Sequence, residues 1–236
     1  MQKLIIGILS IGERHTGMAV DLIENLYLDN AIKVLVVTDS PKDFVQFHDI
    51  IVIEHYPKIF SYNDKVLVFK HGFEYSDKVL LLDSDHVIRD LNKSIPSLSL
   101  ESLSSGVYPQ IVWKDPCDCS MENFLAGKTP RVPYGIKYKQ FCDDNGIKTV
   151  GGILVQESFI FMKKPAEENL RKFFDTWTTL GNFCDYNDVE RNQGILGYGE
   201  GYNIGIAALN SDIPIILDNP VICVISDNFK HLAWEN

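Results

Sequence analysis

The chain comprises 236 residues, of which 45% are hydrophobic and 11% aromatic, and its formal net charge at pH 7 is −10. This composition excludes a largely disordered protein, and the length fits one α/β domain with a substantial core. The acidic balance argues against nucleic acid as a partner, because sequence-independent affinity for nucleic acid comes from Lys and Arg side chains that neutralise phosphates.

The first third of the chain alternates short apolar runs with helical patterns. Strands are predicted at 4–9, 32–37, 50–53 and 79–82, and helices at 12–28 and 62–71. The last of these strands has no polar residue on either face, as is usual for central strands of α/β proteins. The alternation predicts a parallel, doubly wound sheet whose strand-end loops share one edge.

The rest of the chain is less regular. Strands are predicted at 107–113, 158–162, 204–209, 213–217 and 221–225, and a helix at 165–180. The segment 114–133 contains three prolines and is long for an internal loop. Such a segment is either a lid that becomes ordered when a ligand binds or a variable surface excursion.

The N-terminus and the cysteines indicate a compartment. The first apolar run leads directly into Gly12, Glu13 and Arg14, which predicts a strand rather than a signal peptide. No stretch approaches the roughly 18 apolar residues that a membrane span needs. The cysteines are odd in number and irregularly spaced: Cys117, Cys119, Cys142, Cys184 and Cys223. We therefore expect reduced thiols in a cytoplasmic protein without a transmembrane segment.

The motif Asp83-Ser84-Asp85 follows the apolar strand 79–82 directly. Ligands of α/β sheets gather outside the carboxyl ends of the strands, where these two carboxylates are expected. Two acidic side chains on the same side of the chain repel one another unless a cation lies beside them, so the pair predicts a divalent metal. Oxygen ligands favour Mg²⁺ or Mn²⁺ over Zn²⁺.

Two enzyme classes other than the one considered below use similar motifs. The string 83–87 matches the Asp-x-Asp-x-Thr/Val motif of haloacid-dehalogenase-type phosphatases, in which Asp83 would be the phosphoryl nucleophile and Asp85 the acid/base. That motif normally closes the first strand of its domain, whereas three predicted strands precede it here. A sugar nucleotidyltransferase would open with a glycine-rich phosphate loop, but the segment 8–14 has one glycine.

Five features of the chain resemble glycosyltransferases of the GT-A fold. They are the opening strand, the strand end 36–39, the helix that carries 63–65, the strand 78–85 with its Asp-x-Asp, and the segment 230–234. The resemblance covers most of the chain and implies a GT-A-type, Rossmann-like, mostly parallel sheet flanked by helices, with an irregular acceptor-side lobe. It implies one catalytic domain, 1–236, with a nucleotide-binding half, 1–90, and an acceptor- and sugar-binding half, 91–236.

This resemblance also implies a function. We expect a metal-dependent glycosyltransferase, of the hexosyltransferase kind, that uses a nucleoside-diphosphate sugar with UDP as the nucleotide. The cofactor is Mn²⁺ or Mg²⁺, which neutralises the departing diphosphate. Its implied ligands are Asp83, Asp85 and His231, although the Lys-Pro-Trp that follows such a histidine in the family is missing here.

The same resemblance implies the positions that contact the nucleotide. They are Ser10, Ile11 and Gly12 for the base, Thr38 and Asp39 for the uracil edge and ribose, Arg14 and Lys65 for the diphosphate, and Asp83 with Ser84 beside them. Arg14 and Lys65 are equally well explained as solvated helix residues. His86 points to the other side if the strand continues, and we expect it to be structural.

The acceptor side holds several candidate catalytic carboxylates. Glu157 follows Gly151-Gly152, which resembles a stretch that lines the acceptor pocket, and Asp188, Glu190 and Glu200 are predicted in loops rich in Gly and Asn. An inverting enzyme needs one carboxylate as general base, whereas a retaining enzyme places a carboxylate or amide against the anomeric carbon. Glu200 is favoured because glycine flanks it on both sides. For each of these residues a solvated charge or a loop cap is the alternative.

The acceptor itself is left open. A glycan, a lipid-linked glycan, a protein or a small molecule would each be compatible with the sequence, and nucleic acid fits poorly with the negative charge. The expected absence of a membrane anchor sets the chain apart from Golgi-type transferases and favours a bacterial or viral enzyme with cytosolic substrates. Tyr198, Tyr202 and Trp234 could stack on a sugar ring, but we expect them to pack in the core.

Overall fold

The computed structural model of the chain describes residues 4–26, 32–58, 60–88, 100–109, 120–129, 132–190, 199–217, 219–222 and 229–231. Within these ranges the chain forms a six-stranded sheet with helices on both faces and a separate two-stranded sheet. None of the helices in these ranges is long and apolar enough to cross a membrane.

The strands and helices follow one another along the chain in mixed order. The strands are β1 Leu4–Ser10, β2 Ile32–Thr38, β3 Ile50–Glu54, β4 Lys78–Asp83, β5 His86–Ile88, β6 Gly106–Pro109, β7 Phe159–Lys163 and β8 Phe229–His231. The helices are α1 Glu13–Asn25, α2 Lys65–Tyr75, α3 Met121–Leu125, α4 Gly135–Asp144, α5 Glu167–Glu190 and α6 Glu200–Asn210.

The large sheet is mostly parallel. Its strand order is β3-β2-β1-β4-β7-β6, and the first four strands in this order are parallel to one another. β7 runs antiparallel to both β4 and β6, and β5 pairs antiparallel with β8. The predicted α/β class and the four strands of the first third are confirmed, and the architecture is compatible with a Rossmann-like fold.

Helices cover both faces of the parallel strands, which explains why these strands are apolar throughout. Side chains on one face of β1, such as Ile5, pack in a cluster with Phe69 of α2 and Trp177 of α5. Side chains on the opposite face, such as Ile6, pack in a second cluster with Leu22 of α1. The alternation of side chains along a strand therefore feeds two cores.

Three strand predictions in the last third are wrong. Residues 204–209 lie within α6, residues 213–217 contribute only an isolated bridge from Ile215 to Val107, and residues 220–222 are helical where the strand 221–225 is predicted. α6 is apolar and buried on nearly all sides, so it lacks the periodicity that distinguishes a helix from a buried strand. Gly205 lets α6 pack closely against the backbone of Ile153, because a Cβ at this position would lie 1.7 Å from the carbonyl oxygen of Ile153.

The predicted helix 165–180 corresponds to α5, which continues to Glu190. Asp188 and Glu190 therefore lie in a helix, and the prediction that places them in a loop is wrong. The polar sequence of this extension has low helix propensity, but Cys184 and Asn187 are buried there and α5 packs along α6. Tertiary packing thus outweighs the local preference.

The segment 114–133 is described only in part. Residues 120–129 include α3, whose Met121 and Phe124 are buried. The ring of Phe124 stacks on Tyr202 at a centroid distance of 4.0 Å, so Tyr202 packs in the core as expected. Residues 110–119 and 130–131 lie outside the described ranges, as do Tyr198 and Trp234, and the lid stays a prediction.

Candidate functional site

The carboxyl ends of β1, β2 and β4 meet at one edge of the sheet, as predicted. Ser10 pairs with Thr38, and Leu9 pairs with Asp83, in the parallel ladders. β7 reaches the same edge from the other direction, because the amide of Asp83 donates to the carbonyl oxygen of Ser158 at 2.9 Å. The segment that leads into β7 therefore lies beside the end of β4.

The turn from β1 to α1 is held by Asp39. Gly12 has φ 83°, in the left-handed region that glycine adopts without strain. Its amide donates to both carboxylate oxygens of Asp39, at 3.1 Å each, and the hydroxyl of Ser40 donates to one of them at 3.2 Å. Asp39 thus fixes the backbone of the turn at which a nucleotide is predicted.

The other residues predicted around this turn differ in exposure. Ser10 and Thr38 are fully buried, and Ile11 is buried. The hydroxyl of Ser10 donates to Oγ1 of Thr16 at 3.4 Å, within the protein interior. Arg14, in the first turn of α1, is exposed. Among these four predicted contacts Arg14 is therefore the side chain most open to a ligand.

Lys65 contacts acidic residues at the end of β4 and at the start of α6. It is the first residue of α2, it is 3% exposed, and its Nζ lies 2.6 Å from Oδ1 of Asp83. The same Nζ lies 3.3 Å from Oε2 of Glu200 and donates to the carbonyl oxygen of Glu157 at 3.4 Å. An ammonium has three donors, and each has a protein acceptor here. The predicted contact of Lys65 with a diphosphate would require one of these bonds to open.

Burial and neighbouring charges shift the pKa values of Lys65 and Glu200. Burial alone lowers the pKa of Lys65, but the charges of Asp83, Glu200 and Glu157 outweigh it, and the pKa is raised. Burial raises the pKa of Glu200 well above its ordinary value, Lys65 offsets part of this rise, and Glu157 and Asp83 add to it. One buried ammonium therefore lies among three acidic side chains, and its charge limits the rise in the pKa of Glu200.

His15 belongs to the site but is not among the residues that the sequence analysis selects. Its Nδ1 lies 2.9 Å from Oγ of Ser84, and its ring packs on Phe60 at a centroid distance of 5.4 Å. Burial lowers the pKa of His15, and the nearby charge of Asp85 works in the opposite direction. His15 lies in the first turn of α1, the helix that follows β1. This position next to a strand-end loop is the sequence signal that could have indicated it.

Of the three residues expected to hold a metal, Asp83 and Asp85 lie close together at the end of β4. Asp83 ends β4, and Asp85 lies in the turn between β4 and β5. In the antiparallel pair of β5 and β8, His231 lies opposite His86, the residue that follows Asp85. The side chain of His231 lies outside the described part of the chain. Across the described residues no group of three or more His, Cys, Asp or Glu side chains could hold a metal.

Two protein carboxylates nevertheless fit the expected cation. Mg²⁺ is commonly held by one or two carboxylates together with substrate phosphates rather than by a cage of protein ligands. Asp83 and Asp85 provide such a pair of oxygen donors at the edge of the sheet. Ligation by His231 stays a prediction.

Three of the four candidate catalytic carboxylates lie in two places, and the side chain of Glu190 lies outside the described part of the chain. Glu157 and Glu200 lie together, since a Cβ at Gly201 would be 3.1 Å from Oε2 of Glu157 and each carboxylate affects the same ammonium of Lys65. Asp188 is buried near the end of α5, where its charge contributes to the raised pKa of Asp185. Gly151 and Gly152 precede the segment that carries Glu157.

A network of buried and partly buried polar side chains supports the cluster. Nδ2 of Asn203 donates to Oδ1 of Asn63 at 2.9 Å, and the hydroxyl of Tyr138 donates to Oδ1 of Asn203 at 2.9 Å. Oδ1 of Asp185 accepts from Ser61 at 2.7 Å and from Asn63 at 3.1 Å. These bonds join the segment before α2 to α5 and α6.

The raised pKa of Asp185 predicts a pH-dependent stability. Burial raises this pKa from 3.8 to about 6. Because the folded state then binds the proton more tightly than the unfolded state, stability should fall as the pH rises from about 4 to about 6 and stay level above that. Asp185→Asn should remove this loss and stabilise the protein by about 1–2 kcal/mol at pH 7.5, a value reduced for the partial exposure of the side chain.

Urea denaturation between pH 4 and 8 measures this effect. Asp175→Asn, at an exposed aspartate of the same helix, is the matched control and should leave the pH profile unchanged. Parallel pH profiles for the wild type and Asp185→Asn would contradict the prediction.

No protein-family model matches this chain, and no curated protein matches it significantly. Any functional conclusion therefore depends on the arrangement of the site.

Proposed function

We propose that the protein is a metal-dependent glycosyltransferase that moves a sugar from a nucleoside-diphosphate donor, with UDP as the expected nucleotide, to an acceptor hydroxyl. The observation that carries this proposal is the position of Asp83 and Asp85. Asp83 is the last residue of β4 and Asp85 lies in the turn that follows, at the carboxyl edge of the parallel strands and next to the β1–α1 turn. Nucleotides bind α/β sheets in this position.

The acidic pair would hold the cation. A bound Mn²⁺ or Mg²⁺ would neutralise the charge that develops on the departing diphosphate. Asp83 and Asp85 supply the protein oxygens, with His231 as the proposed third ligand. Asp83 shares its carboxylate with Lys65, so its orientation is fixed before any ligand binds.

The nucleotide would lie along the β1–α1 turn. Asp39 fixes that turn through Gly12, which leaves room for a close approach of a ligand because a Cβ at this position meets nothing within 4 Å. Arg14 is exposed in the first turn of α1 and can contact a phosphate there. The amino end of a helix adds favourable potential for an anion.

The acceptor would approach from the side of β7. Glu157 is partly buried, whereas Glu200 is 2% exposed and paired with Lys65. A general base must reach the hydroxyl that it deprotonates, so Glu157 is the better placed of the two. A glycan, a lipid-linked glycan, a protein or a small molecule remains the proposed acceptor class.

Calorimetric titration with UDP tests the proposal. We expect binding in the presence of Mn²⁺ and binding at least ten times weaker with EDTA, because the cation links the diphosphate to the acidic pair. GDP is the control for the choice of base. Equal UDP affinity with and without the metal would contradict the proposal. Turnover of p-nitrophenyl phosphate with a phosphoryl group trapped on Asp83 would replace it with a phosphatase.

A further inference from the structure

We infer that Glu200 is a positioning residue. It shares the ammonium of Lys65 with Asp83 and so weakens the hold of Lys65 on Asp83. Through Lys65 it sets the affinity of the Asp83–Asp85 pair for a divalent cation. This inference rests on the proposed function in that the acidic pair binds a metal. It assigns Glu200 a role different from that of a general base.

Lys65 lies between two acidic side chains. Its Nζ is 2.6 Å from Asp83 and 3.3 Å from Glu200, so the ammonium lies between the two carboxylates. An ammonium on Asp83 competes with a metal for the same oxygen. A second carboxylate on the ammonium draws it away from Asp83 and weakens this competition. The balance between the two contacts therefore decides how readily Asp83 accepts a metal.

The side chain of Glu200 is enclosed by the protein. Oε1 of this residue is buried and has no hydrogen-bond partner among the described residues. With the whole side chain enclosed, the carboxylate has Lys65 as its charged contact rather than solvent. An acceptor hydroxyl would have to displace this packing to reach it. Interaction through Lys65 requires no such movement.

A hydrogen bond between two asparagines holds the segments that carry Lys65 and Glu200 together. Asn203 follows Glu200 by almost one helical turn, and Asn63 precedes Lys65 by two residues. Nδ2 of Asn203 donates a hydrogen bond to Oδ1 of Asn63 at 2.9 Å, and both residues are buried. This bond joins the start of α6 to the start of α2. The pairing of Lys65 with Glu200 is thus built into the scaffold.

Mn²⁺ binding to the protein without nucleotide provides the test, with the free-ion signal in electron paramagnetic resonance as the readout. We expect Glu200→Gln to weaken Mn²⁺ binding roughly tenfold, as is usual when a partner of a metal ligand is altered. Glu157→Gln is the matched control, because it removes a nearby charge while its backbone bond to Lys65 stays. It should change the affinity less than about twofold.

Turnover separates positioning from base catalysis. If Glu200 acts through Lys65, the activity that Glu200→Gln loses at low Mn²⁺ should return as Mn²⁺ is raised. Three results would each overturn the inference alone: an unchanged Mn²⁺ affinity of Glu200→Gln, an equal change of Mn²⁺ affinity in Glu200→Gln and Glu157→Gln, or turnover of Glu200→Gln that stays lost at saturating Mn²⁺. A wild-type protein that binds no Mn²⁺ would overturn the proposed function and the inference together.

Discussion

Replacing Lys65 with methionine should lower the free energy of unfolding by about 3–5 kcal/mol, the range measured when one partner of a buried ion pair is removed. The variant leaves Oδ1 of Asp83 and Oε2 of Glu200 without the ammonium that contacts both. Neither oxygen can recover a full hydration shell, because Glu200 is enclosed and Asp83 is largely covered. The unpaired charges are then expected to dominate the loss.

Urea denaturation measures this loss, and two further variants identify its cause. Adding Glu200→Gln to Lys65→Met removes one stranded charge and should recover part of the stability. Lys139→Met breaks an exposed pair with Asp143 in α4 and should cost less than about 0.5 kcal/mol. A loss below about 1 kcal/mol for Lys65→Met would show that the buried pair contributes no more than a surface pair.

Asp85→Asn and Asp83→Asn should separate metal binding from stability. We expect Asp85→Asn to weaken Mn²⁺-dependent UDP binding by about 100-fold or more, because it removes a charged side chain from the proposed metal site. Its stability should stay within about 0.5 kcal/mol of the wild type, since Asp85 lies in a turn at the sheet edge. Asp83→Asn should weaken UDP binding similarly and also lower stability by about 1–3 kcal/mol, because it loses the charged bond to Lys65.

Calorimetry and urea denaturation on the same samples measure both quantities. Asp77→Asn, just before the opposite end of β4, is the control and should leave UDP binding unchanged. If Asp85→Asn binds UDP with Mn²⁺ as tightly as the wild type, the acidic pair has no part in nucleotide binding.

The first half of the fold could be predicted from the sequence, and the reason is physical. β1, β2 and β4 are short, apolar on both faces and separated by helical patterns, and only a covered parallel sheet accommodates such runs. The meeting of Asp83 with the β1–α1 turn follows from that topology. These inferences use local sequence and one rule about sheets, so they need no long-range information.

The partners of Lys65 could not be predicted in the same way. Its contact with Glu200 depends on how α6 packs, and α6 was itself predicted as a strand because its apolar residues have no clear period. The bond between Asn63 and Asn203 could not be predicted either, because a buried asparagine looks like an ordinary polar residue until its partner is known. His15 required knowing which face of α1 meets β4.

Because β7 runs antiparallel to β4, the chain around Asp83 comes from two separate segments, the end of β4 and the segment that leads into β7. The carboxyl end of one strand and the amino end of its neighbour lie side by side, so the segment 147–158 reaches Asp83 by entering the sheet rather than leaving it. Insertions or exchanges in that segment would alter what surrounds Glu157 without disturbing the parallel strands behind Gly12 and Asp39. Under the proposed function, acceptor preference can therefore diverge in evolution while the proposed nucleotide edge is inherited unchanged.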